Sequence, residues 1–327
     1  MIVVANSNGI DLRALEFSEY DFEVGDTENS FLVTCLRSEW KTIYEGSRIY
    51  IPDTEYGGIF KELKTNTKNG TISCGGYTWR GMLQNRILSP PSGQDYATDS
   101  GELNAVVGAR VRAAFPTLFE GSNESTGKYV SYQYNRYVSL YDGLKAMLKS
   151  VGYKLKLSYV QDDGKVKAEA VPIVDYSSEI EYSSDMNANY YMTKSGMGVN
   201  HLICLGQGEL KDRTVVHLYV DANGNISQRQ TFFNENEIAE VYDYAGAARA
   251  DLIQSGTEQL KELRSQNSFR IDLESERDVE IGDIVGGRDY TSGMRMTAPI
   301  TSKTVKWRNG FETTEYKLSD DVNIQID

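Results

Sequence analysis

Two histidines and three cysteines are all that this 327-residue chain offers for imidazole or thiol chemistry. His201, Cys204 and His217 are the only ones close together in sequence. On one strand, positions 201 and 204 point to opposite faces, because side chains alternate with period two. A structural zinc site also wants about four ligands. No metal site is expected. Residues 121–128 read GSNESTGK, which resembles a phosphate loop only in part. Five residues, not four, separate its glycines, and Tyr129 stands where a Ser or Thr would hold magnesium. A polar loop is expected there. Gly196-Met197-Gly198 and Gly206-Gln207-Gly208 are isolated fragments of a dinucleotide signature. There is no G-x-S-x-G elbow, and two histidines leave a serine or cysteine hydrolase little to work with. Acidic pairs are abundant without a motif, which leaves a glycosidase pair open but favours a solvated face. No catalytic, cofactor-binding or metal-binding residue is assigned, no cofactor is expected, and the chain is read as no enzyme.

The elements around these residues are mainly β. In residues 269–318, Phe269, Ile271 and Leu273 alternate with polar residues. Residues 300–307 and 311–318 flank Asn309-Gly310, the strongest short hairpin signal. The same grammar occurs earlier. Phe22-Glu23-Val24-Gly25-Asp26 matches Val279-Glu280-Ile281-Gly282-Asp283, and the strands around Asn69-Gly70 match those around Asn309-Gly310. A duplicated β-barrel module is the expectation, with unrelated modules sharing turn chemistry as the alternative.

Charge narrows the function. The net charge is −13. Residues 1–95, 96–200 and 201–327 carry −4, −1 and −8. Binding to phosphate backbones needs clustered Lys and Arg, so specific nucleic-acid binding is not expected. Cys35, Cys74 and Cys204 are odd in number, far apart and set in apolar runs, which predicts buried thiols. The N-terminus lacks the basic and apolar regions of a signal peptide, and no apolar run reaches the eighteen or so residues of a membrane span. Folding in a reducing cytoplasm and no stable membrane insertion are expected.

Residues 1–94 read as an N-terminal β-barrel domain completed by 196–235. Ser89-Pro90-Pro91-Ser92-Gly93 marks its boundary. Residues 95–195 read as an α+β middle domain. Ser100 is the expected cap of a helix carrying Leu103, Val106, Val107 and Val111, and Ser139 with Asp142 caps a second. A hairpin follows, in which Lys154 and Lys156 take the outward parity. The tyrosine-rich run 182–192 reads as an interface patch or a strand edge. Residues 236–327 read as a helix plus a C-terminal β-barrel. That helix is expected from Asn234 to about Gln266, with small residues letting it pack close to a sheet.

The order of these pieces resembles a known family. The carriers are Thr54-Glu55-Tyr56-Gly57-Gly58-Ile59, Gly76-Tyr77-Thr78 and residues 83–88 with Pro90-Pro91. They continue with Val174-Asp175-Tyr176-Ser177, Gly198-Val199-Asn200-His201-Leu202-Ile203, Gly206-Gln207-Gly208-Glu209-Leu210 and Ile281-Gly282-Asp283. Together they resemble the baseplate-hub or tail-associated tail-tip proteins of tailed phages and prophages, over nearly the whole chain. The resemblance implies a virion structural protein with two similar small β-barrels flanking a mixed α/β insertion. It implies a homotrimer forming a pseudo-sixfold ring that joins the tail tube to the distal tip and serves genome ejection. The implied partners are the tail tube or distal tail protein, the tape-measure protein, and tip, fibre or spike proteins. The implied location is the virion tail, assembled in the bacterial host cytoplasm. A tail-tip peptidoglycan hydrolase or peptidase and a receptor-binding adhesin are the alternatives. In the hub reading, the acids around Glu274, Glu276, Asp278, Glu280 and Asp283 are expected to line the channel in part.

Overall fold

The computed structural model describes residues 1–15, 18–26, 28–38, 40, 43–177, 181–182, 189–193, 198–222, 224–264, 268–273, 279–319 and 323–326. Two compact units divide the chain. The first comprises residues 1–189, 271–288 and 299–318, the second 190–270, 289–298 and 319–327.

The chain opens with β1 (Val3–Ala5), β2 (Asp11–Ala14), β3 (Ser18–Gly25), β4 (Ser30–Leu36), β5 (Arg48–Tyr50), β6 (Gly57–Ile59), β7 (Glu62–Asn66) and β8 (Thr71–Tyr77). Helix α1 (Trp79–Gln84) and β9 (Ile87–Leu88) follow. Next come β10 (Thr98–Glu102), α2 (Leu103–Ala114), β11 (Phe119–Gly121), β12 (Tyr129–Gln133), β13 (Val138–Ser139), α3 (Leu140–Lys149), β14 (Tyr153–Val160) and β15 (Lys165–Pro172). After β16 (Glu181–Tyr182) and β17 (Asn189–Thr193) lie β18 (His201–Leu205), β19 (Val215–Val220), β20 (Ile226–Ser227), β21 (Ala239–Asp243) and α4 (Arg249–Arg264). The chain closes with β22 (Ser268–Leu273), β23 (Ile284–Asp289), β24 (Met294–Arg308), β25 (Phe311–Leu318) and β26 (Asn323–Ile326). This is the mainly β fold with an α+β middle that the sequence pattern predicts.

In the first unit, alternation along short strands builds two cores. Ile2, Val4 and Ile49 join Phe22, Phe31, Val33 and Cys74 in one cluster. Val3, Ala5 and Tyr50, the intervening residues of the same strands, join Trp79, Leu103, Leu144 and Tyr159 in the other. In the small sheet β2-β1-β5-β6, strands β1 and β5 are therefore buried on both faces. Ser139 caps α3 as expected, accepting from the Asp142 amide at 3.0 Å, and Gly152 follows that helix at φ 79°. The cap of α2 differs. Glu102 accepts from the Ala105 amide, while Ser100 lies within β10 opposite Ser131.

The expected barrels are open sheets. β24 pairs with β3, Ser302 opposite Gly25 through Trp307 opposite Tyr20. The two edges that could have closed each module on itself join N-terminal to C-terminal strands instead. The resulting eleven-stranded sheet has the main path β17-β22-β25-β24-β3-β4-β8-β7, with β23 and β26 also pairing β24 and β16 pairing β23 off this path. The main path is two runs of four strands, β17-β22-β25-β24 and β3-β4-β8-β7. Each ends in an Asn-Gly hairpin whose first strand, β24 or β7, is the outer one.

The repeat is real in its backbone bonds but displaced from the sequence match. Gly282 (φ 97°) corresponds to Gly46 (φ 87°), not to Gly25. The Asp283 amide bonds Glu280 O as Ser47 bonds Tyr44 O, and Gly282 N bonds Ile300 O as Gly46 N bonds Phe60 O. Ile300 N returns to Asp283 O as Phe60 N returns to Ser47 O. The side chains repeat too: Asp283 Oδ2 accepts from Glu280 N at 3.0 Å, and Ser47 Oγ from Tyr44 N at 3.0 Å. Gly25 instead ends β3, its amide donating to Asn29 Oδ1. The hairpin turns also differ in length. Asn309 and Gly310 both take positive φ, as a two-residue type I′ turn requires. At Asn69-Gly70 only the glycine does, and the loop spans residues 67–70.

In the second unit, α4 covers one face of the sheet β20-β19-β18-β21, burying Leu202, Cys204, Val216, Leu218, Leu252 and Leu260. Gly256 allows the close approach. A Cβ there would lie 2.5 Å from Cys204 Sγ. The helix is shorter than its apolar spacing predicts. Residues 239–243 form β21, parallel to β18, and the helix begins at Arg249. Val241 and Tyr242 are strand-favouring, and pairing with β18 satisfies their backbone, which local helical spacing does not register.

Candidate functional site

Two aspartate–lysine pairs fasten the sheet's glycine turns to the α+β segment within the first unit. At the closing turn, Lys154 Nζ on β14 lies 2.7 Å from Asp283 and 3.0 Å from Glu280. Asp283 and Lys154 are 1% and 7% exposed. Asp283 also accepts the amides of Val174 and Glu280, so its charge has the cation and donors that burial demands. The methylenes of Lys154 lie over Gly282, where an added Cβ would come within 3.1 Å of Lys154 Cβ. Burial alone would raise the Glu280 carboxyl. The hydrogen bond and charge of Lys154, with Lys156, outweigh it and hold the carboxyl below its usual range. The outward parity expected of Lys154 is thus overturned, because the closing turn covers that face of β14. At the other turn, Lys145 of α3 donates to Asp26 at 2.7 Å, and this pair is about one-third exposed. Burial would lower the Lys145 amine, and Asp26 overrides it and raises it. Arg80, 4% exposed, adds a third tie through Glu55, Tyr141 OH and Leu155 O.

The opposite face of the long sheet is polar. Among the described residues of β3, β7, β24 and β25, five carboxylates (Glu19, Asp21, Glu23, Glu62 and Glu315) share that face with four cations (Lys64, Lys306, Arg308 and Lys317). The charges pair across strands: Lys306 with Glu315 at 3.3 Å, Lys317 with Glu23 at 3.2 Å and Arg308 with Asp21 at 3.4 Å. Burial raises the Asp21 carboxyl. Lys306 and Arg308 oppose this, while Glu23 and Glu315 add to it. Thr34 and Ser73, bonded at 2.8 Å, share this face with Leu32, Leu36 and Phe311. A shallow groove of about 500 Å³ runs over β3, β4, β8 and β7, lined by Asp21, Glu23, Glu28, Leu32, Glu62 and Lys64 among others. Of the acids expected in the channel, Glu280 and Asp283 are held by Lys154, and Glu274, Glu276 and Asp278 lie outside the described residues.

β7 is an open edge. Every residue of it is exposed, it ends the sheet order, and Leu63 is 49% exposed. Such an edge is a template for a further strand.

The motifs singled out for chemistry resolve individually. Residues 121–128 form a pinned loop. Glu102 accepts from both the amide and the hydroxyl of Thr126, which puts a carboxylate where a phosphate would be held. Gly206 to Gly208 build the β18–β19 connection, Gly206 N bonding Thr214 O, and Gly196 and Met197 lie outside the described residues, as do residues 183–188 of the tyrosine run. His201 and Cys204 face opposite sides as expected. Cys204 lies in the core, while His201 meets His217 and Glu237. Among the described residues, no three His, Cys, Asp or Glu side chains form a group that could hold a metal. All three cysteines are buried. Burial pushes the Cys74 thiol up to about 12 and the Cys204 thiol up to about 11, which leaves them unreactive. No helix among the described residues is long and apolar enough to cross a membrane.

No protein-family model matches the chain, and no curated protein matches it. Solved structures do. A tail protein from Neisseria meningitidis MC58 is 14% identical, with 98% of this chain and 96% of that one covered and a TM-score of 0.54. The 43 kDa tail protein of prophage MuSo2 from Shewanella oneidensis is 10% identical, with 97% and 98% covered and a TM-score of 0.56. Prophage tail protein gp18 from Listeria monocytogenes EGD-e is 13% identical, with 98% and 94% covered and a TM-score of 0.50. The chain has the fold of these tail proteins along nearly its whole length.

Proposed function

We propose that this chain is a structural protein of a phage or prophage tail. In this reading it is the baseplate hub, which joins the tail tube to the distal tip. The observation that carries the proposal is the doubled strand order, β17-β22-β25-β24 followed by β3-β4-β8-β7, in a chain with a tail-protein fold. The internal seam β24–β3 joins the outer hairpin strand of one run to the first strand of the next. The same join between copies sets β7 of one chain against β17 of its neighbour. Three chains joined this way close a ring with threefold symmetry and six similar faces, which meets a sixfold tube. The open edge of β7 and its half-exposed Leu63 support this seam.

The polar sheet face then lines the channel. Among the described residues, its cross-paired charges give passing DNA no net cationic surface to adhere to, since backbone adhesion rests on clustered Lys and Arg. The middle segment, residues 95–195, takes the distal side, facing tip, fibre or spike proteins. The work assigned to the chain is assembly and passage, and no catalytic step is assigned to it. The test is electron microscopy of tails assembled with and without the chain. Loss of the tip together with the chain is expected. Tails with intact tips and normal infectivity in its absence would reject the reading.

A further inference from the structure

We propose that the hairpin end of the long sheet is the face that docks the last ring of the tail tube, through a basic rim tipped with apolar side chains. This rests on the hub reading above. Antiparallel pairing from β24 through β3, β4 and β8 to β7 points β24 and β7 the same way. Both hairpin turns, residues 309–310 and 67–70, therefore leave from one end of the sheet. When strands pair around a closed ring they run along its axis with a tilt, so strand ends face the two ends of the ring. Three chains then present six hairpin tips at one end, alternately short and long. The α+β segment is fastened at the other end. There β8 passes into α1, the Thr78 amide donates to Asn29 O just before β4, and Lys145 holds Asp26 just beyond β3. Each chain brings that segment once, so this end is threefold. A sixfold partner finds its six matching features at the hairpin end.

The side chains at the tips define the partner. Phe311 opens β25 at 75% exposure and Leu36 closes β4 at 42%. The longer tip is braced. Asn66 Oδ1 accepts from the amides of Lys68 and Asn69, and Gly70 O accepts from the Arg37 amide. A braced tip loses little freedom on docking. From the level of Arg308 outward, the described residues carry four cations (Arg37, Lys64, Lys68 and Arg308) and one carboxylate, Glu19. Arg308 and Lys64 reach back to Asp21 and Glu62, whereas Lys68 and Arg37 make no ion pair among the described residues. This end is therefore basic in a chain of net charge −13. Two such rims repel each other, which disfavours a second copy of the ring as the occupant. The surface fits a sixfold rim of another protein that is acidic around apolar sockets.

The test is binding of the full chain to tail tubes, purified from particles of the same phage and held on a sensor surface. Wild-type binding is expected to weaken as salt rises, because the rim is solvent-exposed. Lys68→Glu and Phe311→Ser are each expected to weaken it at least roughly tenfold. Glu28→Lys, in the β3–β4 turn at the opposite end, is expected to bind as wild type does. All three positions are exposed, so circular dichroism of the variants should match that of the parent chain. A wild-type chain that binds no tube fails the hub reading, and the docking face falls with it. Binding untouched by both Lys68→Glu and Phe311→Ser leaves the hub reading standing and overturns the docking face. Binding lost in Glu28→Lys but kept in those two does the same, and so do wild-type rings that stack on one another through their hairpin ends.

Discussion

Replacing Lys154 by Met separates the two aspartate–lysine anchors by their energetics. Met keeps most of the aliphatic stem that covers Gly282 and removes only the ammonium. Asp283, 1% exposed, is then left as a buried carboxylate without its cation. Breaking a buried pair from one side costs about 3–5 kcal/mol. Lys145→Met makes the same chemical change at the Asp26 anchor, where the partners are 36% and 33% exposed. Solvent screens that pair, and the expected cost is under ~1 kcal/mol. The assay is urea unfolding followed by tryptophan fluorescence. All three tryptophans, Trp40, Trp79 and Trp307, belong to the first unit, so the signal reports only the unit that holds both anchors. Adding Asp283→Asn to Lys154→Met removes the stranded charge, and the double variant is expected to lose clearly less than the sum of the single losses. Equal costs for Lys154→Met and Lys145→Met, or strict additivity in the double variant, would refute the claim that the closing turn is held by a buried ion pair.

Four further outcomes are expected. Gly46→Ala meets no atom within 4 Å and costs only its left-handed backbone, about 1–2 kcal/mol, whereas Gly282→Ala adds the contact with Lys154 and costs more; paired unfolding curves compare them. Glu280 is held below its usual range in the folded chain, so its contribution is present above the unfolded carboxylate pKa and is lost as pH falls through the lower folded value; Glu280→Gln should flatten the acid limb of a stability–pH curve. Leu63→Lys on the open edge should leave the unfolding midpoint of the isolated chain nearly unchanged and abolish ring formation, seen by mass measurement with tube protein present. The buried Cys74 and Cys204 should resist a thiol reagent in the folded chain and react after unfolding; full modification with the far-ultraviolet circular dichroism of the folded chain retained would contradict their placement.

Much of the fold is legible because its signals are local. Asn309-Gly310 specifies its turn from two residues. Ser139 and Asp142 set the start of α3 from within one turn. What the sequence misplaces depends on partners far along the chain. A five-residue match with three identical letters aligns Gly25 with Gly282, yet the backbone bonds align Gly46, where Ser47 stands in for Asp283 and little sequence likeness remains. Lys154 sits on a strand parity that reads as solvent-facing until the closing turn covers it from more than a hundred residues away. β21 carries helical spacing but takes its conformation from β18. The histidine contact escapes notice for a related reason. His201 and His217 lie on different strands and meet diagonally, His201 opposite Tyr219 and His217 opposite Ile203. Only the hairpin register brings their rings together.

The central claim is that this chain forms a threefold ring through its open sheet edges. Electron cryomicroscopy of the purified chain, alone and with its tail tube protein, tests it most directly. The account predicts a ring of three copies in which Glu62–Asn66 of one copy pairs with Asn189–Thr193 of the next, repeating the internal β24–β3 join. A stable dimer in both preparations, or a threefold ring in which the β7 edge remains in solvent, would contradict it.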